Sequence, residues 1–425
     1  MGKFYSILQA LFMLAVFSLS LSQLNSQNVV NNGNGIVINQ GAWLVIGGNY
    51  INQTGGQDGF VDIDGKMVVN RDFINNSANE VFINIETAPD GEVILNGSAI
   101  QNISGTTSTR FENLNIQNSR KVLQTDFCQV AGRLYVQAIL DLNSNTFVID
   151  NSSPQGITYS SGFILSETTP DQGLGIILWN IENSSGNFEI PFGTGNSANN
   201  DLDLNLSITT SGSDEGFMSF STFPTSTTNY PLPSGISSLD PFDPAITVDR
   251  FWLVEPTFIS KPSAYITFMY DFPSAHGINR NSLKAIRHNT DGNSWNDWGP
   301  AGDANAAALT VATPIITPQN FYAWWTLSGE EQAEYVYVPN AFSPNGDGVN
   351  DEFKPFINGY EPDEYVFYIF DRWGKQIFES NNLENGWDGT HNDSECKQDV
   401  YVWYVIFSDM NNKIQTLNGI VALIK

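Results

Sequence analysis

Short apolar runs, separated by Gly, Asn, Ser and Thr, recur along the whole chain. Apolar positions at the helical period of 3.6 residues are almost absent, whereas alternation with a period of two is common. Such alternation is typical of strands that bury one face and expose the other. The pattern therefore predicts an all-β protein.

A loose internal repeat runs through residues 28–151. The segments GAWLVIGGNYINQT, GKMVVNRDFINNSA and GEVILNGSAIQNIS start at Gly41, Gly65 and Gly91, at intervals of 24 and 26 residues. Each continues from Gly through an apolar run and a polar break to an apolar pair and Asn. Short strands with Asn-rich corners at this period predict a parallel β-helix, in which coils bury their inward residues by stacking. An ordinary β-sandwich with coincidental Gly spacing is the alternative.

The spacing lengthens and stops repeating in residues 152–329. Segments such as DRFWLVEP and SAYITFMYDF alternate with Pro-rich loops such as NYPLPSGISSLDPFDP. This texture predicts a central antiparallel β-sandwich. Residues 330–334 are predicted to be an acidic linker, and residues 335–425 a third unit.

The first 27 residues predict a secretory signal peptide. Lys3 supplies a basic start, an apolar run extends from Phe4 to Leu21, and small residues follow it. A membrane anchor is the weaker alternative, because no second charged flank follows the run. No other stretch is apolar enough to span a bilayer, so we expect no transmembrane helix in the mature protein.

The chain carries a formal net charge of −27, from 18 Lys and Arg against 45 Asp and Glu. An acidic surface repels phosphate backbones, so nucleic-acid binding is not expected. The same charge attracts divalent cations. Cys128 and Cys396 fall in different predicted domains, and we expect two free thiols, with a disulfide as the alternative.

Signs of catalysis are weak in this sequence. The histidines His276, His288 and His391 lack metal-ligand spacing, and no nucleophile-elbow motif occurs. We therefore expect no enzyme, although counting cannot exclude a glycosidase-type carboxylate pair in so acidic a chain. Trp295 and Trp298, in DGNSWNDW, are candidates for stacking on sugar rings, with core packing as the alternative.

The segment VPNAFSPNGDGVNDEF, Val338 to Phe353, has the look of an ion-binding or phosphate-binding loop. It lacks the Lys of a Walker loop, and Val349 occupies a position where an EF-hand needs a ligand. A looser calcium site remains a candidate, formed by Asn345, Asp347, Asn350 and Asp351. We favour a structural interpretation, in which Gly346 and Gly348 supply positive φ angles while Asn and Asp close turns.

The sequence after this loop predicts a small all-β unit. YVFYIFDRWGKQIF predicts a hairpin with strands Tyr365 to Phe370 and Lys375 to Phe378, joined by a turn at Arg372-Trp373-Gly374. A turn from Asn385 to Thr390, a strand from Val400 to Phe407, a turn at residues 409–412 and a final apolar strand follow.

Four ordered motifs, AFSPNGDGVNDEF, IFDRWGKQIFES, WDGT and a Tyr-rich strand followed by LNGIVALIK, make this unit specific. Together they resemble the gliding-motility-associated C-terminal domain of Bacteroidetes proteins, the type B sorting domain of the type IX secretion system. The resemblance covers about the last fifth of the chain. The residues that carry it are Phe342, Pro344, Asn345, Gly346, Asp347, Gly348, Asn350, Asp351, Arg372, Trp373, Gly374, Trp387, Asp388, Gly389 and Tyr401.

The resemblance implies an immunoglobulin-like sandwich that directs export across the outer membrane to the cell surface or the extracellular space. It also implies the type IX machinery and a dedicated outer-membrane component as partners. Sorting domains accompany many kinds of cargo, so the function of the remaining chain does not follow from them. We expect an adhesion or surface-binding module that contacts a surface polysaccharide. A polysaccharide-active enzyme or carbohydrate-binding protein is the alternative.

Overall fold

The computed structural model describes residues 27–55, 58–83, 90–167, 173–195, 202–213, 215–275, 277–290, 293–297, 303–331, 335–358, 362, 364–392, 394–408 and 413–425. The predicted signal peptide, apart from Gln27, and the predicted turn at residues 409–412 lie outside these ranges. Within the ranges every extended element is a strand, and the four helices are single 3-10 turns that begin at Pro. The predicted all-β class is confirmed.

No helix in the described part of the chain is long and apolar enough to cross a bilayer.

The chain divides into two compact units. The first contains residues 1–242, 249–274 and 284–327, and the second contains residues 243–248, 275–283 and 328–425. The predicted β-helix and central sandwich therefore belong to one unit. Of the predicted linker, Glu330 and Glu331 lie in a strand and residues 332–334 lie outside the described ranges.

The first unit opens with a three-faced parallel β-solenoid. Its coils contain β1 Val29–Asn32, β2 Gly35–Ile38 and β3 Trp43–Ile46; β4 Tyr50–Gln53, β5 Phe60–Ile63 and β6 Lys66–Val69; β7 Phe73–Asn76, β8 Phe82–Ile83 and β9 Glu92–Leu95; β10 Gln101–Gly105, β11 Thr109–Phe111 and β12 Asn113–Ile116; β13 Lys121–Leu123, β14 Phe127–Val130 and β15 Leu134–Val136; β16 Leu140–Asp141, β17 Thr146–Ile149 and β18 Ile157–Tyr159; and, in a partial coil, β19 Ile164–Leu165 and β20 Ile176–Asn180. The faces are β1-β4-β7-β10-β13-β16-β19, then β2-β5-β8 with β11-β14-β17-β20, then β3-β6-β9-β12-β15-β18. The solenoid predicted from the repeat is confirmed.

Two of the three repeated glycines have a steric cause. A Cβ added to Gly65 would lie 2.4 Å from the carbonyl oxygen of Ala42, and one added to Gly91 would lie 2.0 Å from that of Ile63. Adjacent coils stack at the spacing of paired strands, about 4.8 Å. Only Gly leaves room for the backbone of the preceding coil at these corners.

Aromatic rings fill the solenoid interior. The centroid of Phe73 lies 5.1 Å from that of Tyr50 and 5.0 Å from that of Phe111, and Phe82 packs 5.5 Å from Phe111. All four side chains are buried. Since each belongs to a strand of a different coil or face, the rings join neighbouring coils into one core.

Two ladders of polar side chains reinforce this stacking. On the outside, Asn28 Oδ1 accepts a hydrogen bond from Asn49 N (2.9 Å), Asn49 Oδ1 from Asp72 N (3.0 Å), and Asp72 Oδ1 from Asn102 N (2.7 Å). On the inside, Asn31, Asn52 and Asn75 stand in register and are buried. The inner amides donate to corner carbonyls, including Asn52 Nδ2 to Gly59 O at 3.0 Å, so these polar groups are paired.

Parallel pairing continues beyond residue 151, where we predicted the repeat region to end. β15 pairs with β18, β16 with β19 and β17 with β20, all in parallel. Longer corners obscure the repeat in this stretch. The inward side chains Ile164, Ile177 and Trp179 are nevertheless fully buried, so the coils still stack.

The remainder of the first unit is antiparallel. Its strands are β21 Gly186–Ile190, β22 Leu204–Thr210, β23 Gly216–Pro224, β24 Arg250–Phe258, β25 Ser263–Met269, β27 Ser294–Asp297, β28 Asp303–Asn305 and β29 Thr310–Ala312. Residues 284–289 of β26 Ile278–Asn289 and residues 324–327 of β30 Trp324–Glu331 also belong to this unit. β20 pairs in parallel with β17 and antiparallel with β23. One solenoid face therefore continues into a nine-stranded sheet, β11-β14-β17-β20-β23-β24-β30-β26-β27.

A second sheet, β21-β22-β25-β29-β28, packs against this one. Phe268 lies 5.1 Å from Trp252 and 5.8 Å from Trp325, ring centroid to ring centroid, and all three are buried. The neighbouring Trp324 packs 6.0 Å from Phe223 in a different apolar cluster. Adjacent strand residues point to opposite faces, so both indoles find apolar surroundings.

The second unit contains the predicted hairpin and long strands. Its strands are β31 Tyr335–Tyr337, β32 Ala341–Phe342, β33 Phe356–Asn358, β34 Tyr365–Phe370, β35 Gln376–Ser380, β36 Thr390–His391, β37 Ser394–Glu395, β38 Val400–Ser408 and β39 Ile414–Leu423. They form a five-stranded sheet, β32-β39-β38-β34-β35, and two strand pairs. The arrangement is consistent with the predicted C-terminal β-sandwich, and its immunoglobulin-like topology stays a prediction.

Candidate functional site

The loop between β32 and β33 is organised by one carboxylate. Asp351 Oδ1 accepts hydrogen bonds from Asn345 N (3.0 Å) and Gly346 N (2.7 Å), and its Oδ2 accepts one from Gly348 N (2.8 Å). The N–H groups of Gly346 and Gly348 hold the pKa of this carboxyl below its usual range. Both glycines have positive φ, 77° and 85°, with open space around them, so backbone conformation is what requires Gly here.

The remaining polar side chains of this loop also close turns. Asn345 Oδ1 accepts from Asp347 N at 3.0 Å, Asp347 Oδ1 accepts from Val349 N at 2.8 Å, and Asn350 has a φ of 54°. These contacts support the structural interpretation. The described residues contain no group of three or more His, Cys, Asp or Glu side chains suited to a metal ion, and the calcium site stays a prediction.

Pro344 and the turn at Trp387-Asp388-Gly389 pack against the core of this unit. Trp387 is fully buried, 5.2 Å from Phe342 and 4.8 Å from Tyr401 between ring centroids. Asp388 Oδ1 accepts a hydrogen bond from Thr390 N, and Gly389 has a φ of 81°. A Cβ at Gly389 would lie 3.0 Å from Pro344 Cγ. Two of the quoted motifs therefore meet in space.

The hairpin turn between β34 and β35 is equally rigid. Asp371 Oδ1 accepts hydrogen bonds from Trp373 N at 2.8 Å and Lys375 N at 2.9 Å, and Gly374 has a φ of 80°. Arg372 forms an ion pair with Asp399 across the sheet. The indole of Trp373, in contrast, is 86% exposed, so core packing does not account for it.

An open cleft of about 530 Å³ lies beside this turn. Its lining includes Asp371, Arg372, Trp373 and Lys375 from the hairpin and His391, Glu395, Cys396, Lys397, Asp399 and Tyr401 from the facing segment. The motif IFDRWGKQIFES contains all four hairpin residues, of which Arg372 and Trp373 were singled out together with Tyr401, whereas the other residues of the facing segment were missed. Lys375 follows the turn directly and was recoverable from the sequence, whereas residues 391–399 reach the cleft only through the fold.

Trp295 occupies the position of the core-packing alternative, which does not fit the candidate role in sugar stacking. Its side chain is 1% exposed, and its ring packs 5.4 Å from Phe251 while Nε1 donates to Ser238 O at 3.0 Å. The side chain packs into apolar surroundings in the sandwich and is not exposed on a loop. Trp298 lies outside the described residues. Cys128 and Cys396 are free thiols, the first of them buried.

The solenoid carries open grooves at its corners. One of them, the coil 3–6 groove, has a volume of about 630 Å³, spans four coils and is lined by residues that include Asp90, Glu92, Asn113, Arg133, Tyr135, Asp150, Asn151 and Ser152. Two others, of about 450 and 570 Å³, follow a second corner and share the exposed Ile100. Sequence reasoning missed these grooves, because their lining comes from consecutive coils.

The carboxylates of the coil 3–6 groove are already paired. Glu92 forms an ion pair with Lys66 at 2.6 Å, and Asp150 forms one with Arg110 at 3.1 Å. Asp90 Oδ2 accepts a hydrogen bond from the Gln40 amide at 3.3 Å. The side chains of Arg133 and Tyr135, by contrast, make no hydrogen bond or ion pair with the described part of the chain.

Next to this groove, Glu112 has an unusual ionisation. Burial raises the pKa of its carboxyl to about 7, the N–H of Gly91 opposes the rise, and the charges of Asp64 and Asp90 add to it. Glu112 is 4% exposed, and its Oε2 accepts the Gly91 N–H at 3.0 Å. It is therefore a buried corner residue with little access to solvent.

Comparison with known proteins concerns the second unit. The family model of the CHU_C type IX secretion signal domain matches residues 336–423, and these residues contain the loop, both turns and the cleft. No curated protein matches the chain. Residues 336–423 are a type IX secretion signal domain, and this domain marks the protein for export across the outer membrane to the cell surface or the extracellular space.

Proposed function

We propose that the exported cargo is an adhesion module whose solenoid binds an uncharged surface polysaccharide. The observation that carries this proposal is the pairing of the charged groups in the coil 3–6 groove. Each of its carboxylates has an internal partner, while the side chains of Arg133 and Tyr135 make no hydrogen bond or ion pair with the residues that the structure describes. The ring of Tyr135 can stack on a sugar ring, and the guanidinium of Arg133 and the flanking amides can form hydrogen bonds with sugar hydroxyls. Paired carboxylates are poorly placed for acid and base catalysis.

The groove also has the right form for an extended ligand. It crosses coils 3 to 6, which stack at about 4.8 Å per strand pair. An extended chain can then make related contacts with successive coils, as solenoid surfaces allow. An anionic polymer is disfavoured because the chain carries a formal net charge of −27.

A polysaccharide-active enzyme is the second candidate, and Glu112 is the observation in its favour. A carboxyl with a pKa of about 7 has the ionisation of a general acid at neutral pH. Its burial and its bond to Gly91 N count against contact with a substrate.

Retention of the exported protein on immobilised neutral glucan, mannan and xylan tests the proposal. We expect the wild type to be retained, and the Arg133→Ala/Tyr135→Ala double variant to lose retention at least tenfold, as for removal of two binding contacts. Tyr265→Ala, a substitution of an exposed tyrosine elsewhere in the unit, is the matched control. No retention of the wild type, or full retention of the double variant, would count against the groove. Release of reducing ends would support the enzyme.

A further inference from the structure

The exposed indole of Trp373 has no role in the packing of its own unit. It is 86% exposed, and the two hydrogen bonds that Asp371 accepts hold the turn beneath it in one conformation. An exposed aromatic on a rigid turn forms a contact surface at little cost in conformational entropy. Trp and Arg are also the residues most often found at the energetic centre of interfaces.

The walls of the adjacent cleft are fixed as well. Arg372 is paired with Asp399, the Tyr401 hydroxyl donates to Lys397 O at 2.7 Å, and His391 Nδ1 lies 2.8 Å from Ile377 O. These contacts join the hairpin to the segment at residues 391–401. A partner would therefore meet a preformed surface.

The charge of the cleft differs from that of the chain. The protein has a formal net charge of −27, yet the carboxylates of the cleft are occupied: Asp371 by backbone N–H groups, Asp399 by Arg372, and Glu395 by Lys425. The ammonium groups of Lys375 and Lys397 make no hydrogen bond or ion pair among the described residues. Lys375 and Lys397 therefore line the same cleft as Trp373 without an ion-pair partner among the described residues, although the charge of Lys397 helps to lower the pKa of Asp399.

We propose that this cleft is the surface by which the export machinery holds the signal domain. The indole of Trp373 enters an apolar pocket of an outer-membrane component, and carboxylates of that component pair with Lys375 and Lys397. Charge complementarity favours an acidic partner segment, because the net negative charge of the chain repels an acidic partner while the lysines of this cleft attract it. The inference concerns recognition during export and goes beyond the proposed function of the cargo.

Fractionation of the cells that produce the full-length protein tests this surface. We expect Trp373→Ala and the Lys375→Glu/Lys397→Glu pair each to lower the surface and extracellular amount at least tenfold, with accumulation in the periplasm. A factor of ten is the lower end expected for loss of an anchor residue. Tyr337→Ala, which removes an exposed aromatic of the same unit outside the cleft, and Lys375→Arg/Lys397→Arg should be exported like the wild type.

Melting of the purified variants separates recognition from folding. We expect unchanged melting temperatures, because none of the substituted side chains is buried. Wild-type export of Trp373→Ala would overturn the assignment of the cleft. Export of Lys375→Glu/Lys397→Glu at the wild-type level would show that the partner is not acidic. This test does not depend on whether Trp373→Ala affects folding.

Discussion

In the solenoid, Asn and Asp side chains accept hydrogen bonds from the next coil, whereas in the signal domain they accept them from their own turn. Asn28, Asn49 and Asp72 bind backbone N–H groups that are 21, 23 and 30 residues away. Asp351 binds N–H groups that are 3 to 6 residues away. The same chemistry thus sets the register between coils in one region and the shape of single loops in the other.

The difference predicts how far a perturbation spreads. Removing a ladder residue leaves a donor of a neighbouring coil without its acceptor, so the effect passes along the solenoid. Removing a turn residue affects the N–H groups of the same loop. Stacked repeats depend on nearest neighbours in just this manner.

The largest effects are expected from the two aromatic cores. Phe73→Ala in the solenoid and Trp387→Ala in the signal domain each remove a fully buried ring and should cost about 3–5 kcal/mol. Urea unfolding measures the loss, and peptide-resolved hydrogen exchange measures its spread. We expect Phe73→Ala to raise exchange in coils 2 to 4 and Trp387→Ala to raise it across residues 342–423. Faster exchange confined to β7 would contradict neighbour dependence in the solenoid.

The next effect concerns pH and is specific to the solenoid. Burial raises the pKa of Glu112 from 4.5 to about 7, so the folded state binds the proton more tightly than the unfolded state. Its stabilising contribution is complete below pH 4.5 and is lost as the pH rises through 7, by roughly 3 kcal/mol. Glu112→Gln should remove this loss, so that the variant is the more stable protein at pH 8. Melting curves at pH 5 and pH 8 of the wild type, of Glu112→Gln and of the exposed control Glu80→Gln measure this change in stability. If the melting temperatures of the wild type and of Glu112→Gln change in parallel with pH, the predicted role of Glu112 is wrong.

A smaller effect is expected from the outer ladder. Asp72→Ala leaves the N–H of Asn102 without its acceptor and should cost about 1 kcal/mol. Asp72→Asn keeps the Oδ1 acceptor and serves as the matched control. Exchange at Asn102 should rise with Ala and stay unchanged with Asn. Equal exchange in both variants would show that the ladder does not set the register.

The smallest and most local effect is expected in the signal-domain loop. The pKa of Asp351 is lowered by the N–H groups of Gly346 and Gly348, so its contribution is present above the unfolded pKa and is lost as the pH falls through the folded value. Asp351→Ala should speed exchange within residues 343–351 at neutral pH and leave the sheet unchanged. Spread of the effect into β38 or β39 would contradict the comparison.

The same loop variants test the predicted calcium site. If calcium is bound, its addition raises the melting temperature of the wild type, and Asp347→Ala with Asp351→Ala abolishes the shift. If the loop is held by its turns alone, calcium changes neither protein.

The contrast between ladders and turns also explains what the sequence could predict. The loop and turn motifs of the signal domain are contiguous, so their Gly and Asp positions could be interpreted directly. In the solenoid, the repeat identified the strands that begin after Gly65 and Gly91, because the close approach of coils admits only Gly there. The second face and the coils beyond residue 151 were missed, since their corners vary in length while only the inward positions are constrained.

Of the candidate surfaces, the sequence predicted the residues that lie in one motif and missed those that only the fold brings together. The exposed Trp373 and its turn lie in one motif, but Lys397 and Asp399 join them only through the pairing of β34 with β38. The groove residues Arg133 and Asp150 likewise come from successive coils. For Trp295 the sequence left sugar stacking and core packing open, because aromatic composition alone does not tell a loop anchor from a core residue.

The strand β20 has one further consequence. In a parallel solenoid, the strands of the last coil have the same pairing edge as those of every earlier coil. Left unpaired, this edge can pair with a strand of another chain. β20 accepts β17 on one edge and gives its other edge to the antiparallel β23. Because both edges of β20 are paired, this strand terminates the stack of parallel coils on that face, and no further chain can add there.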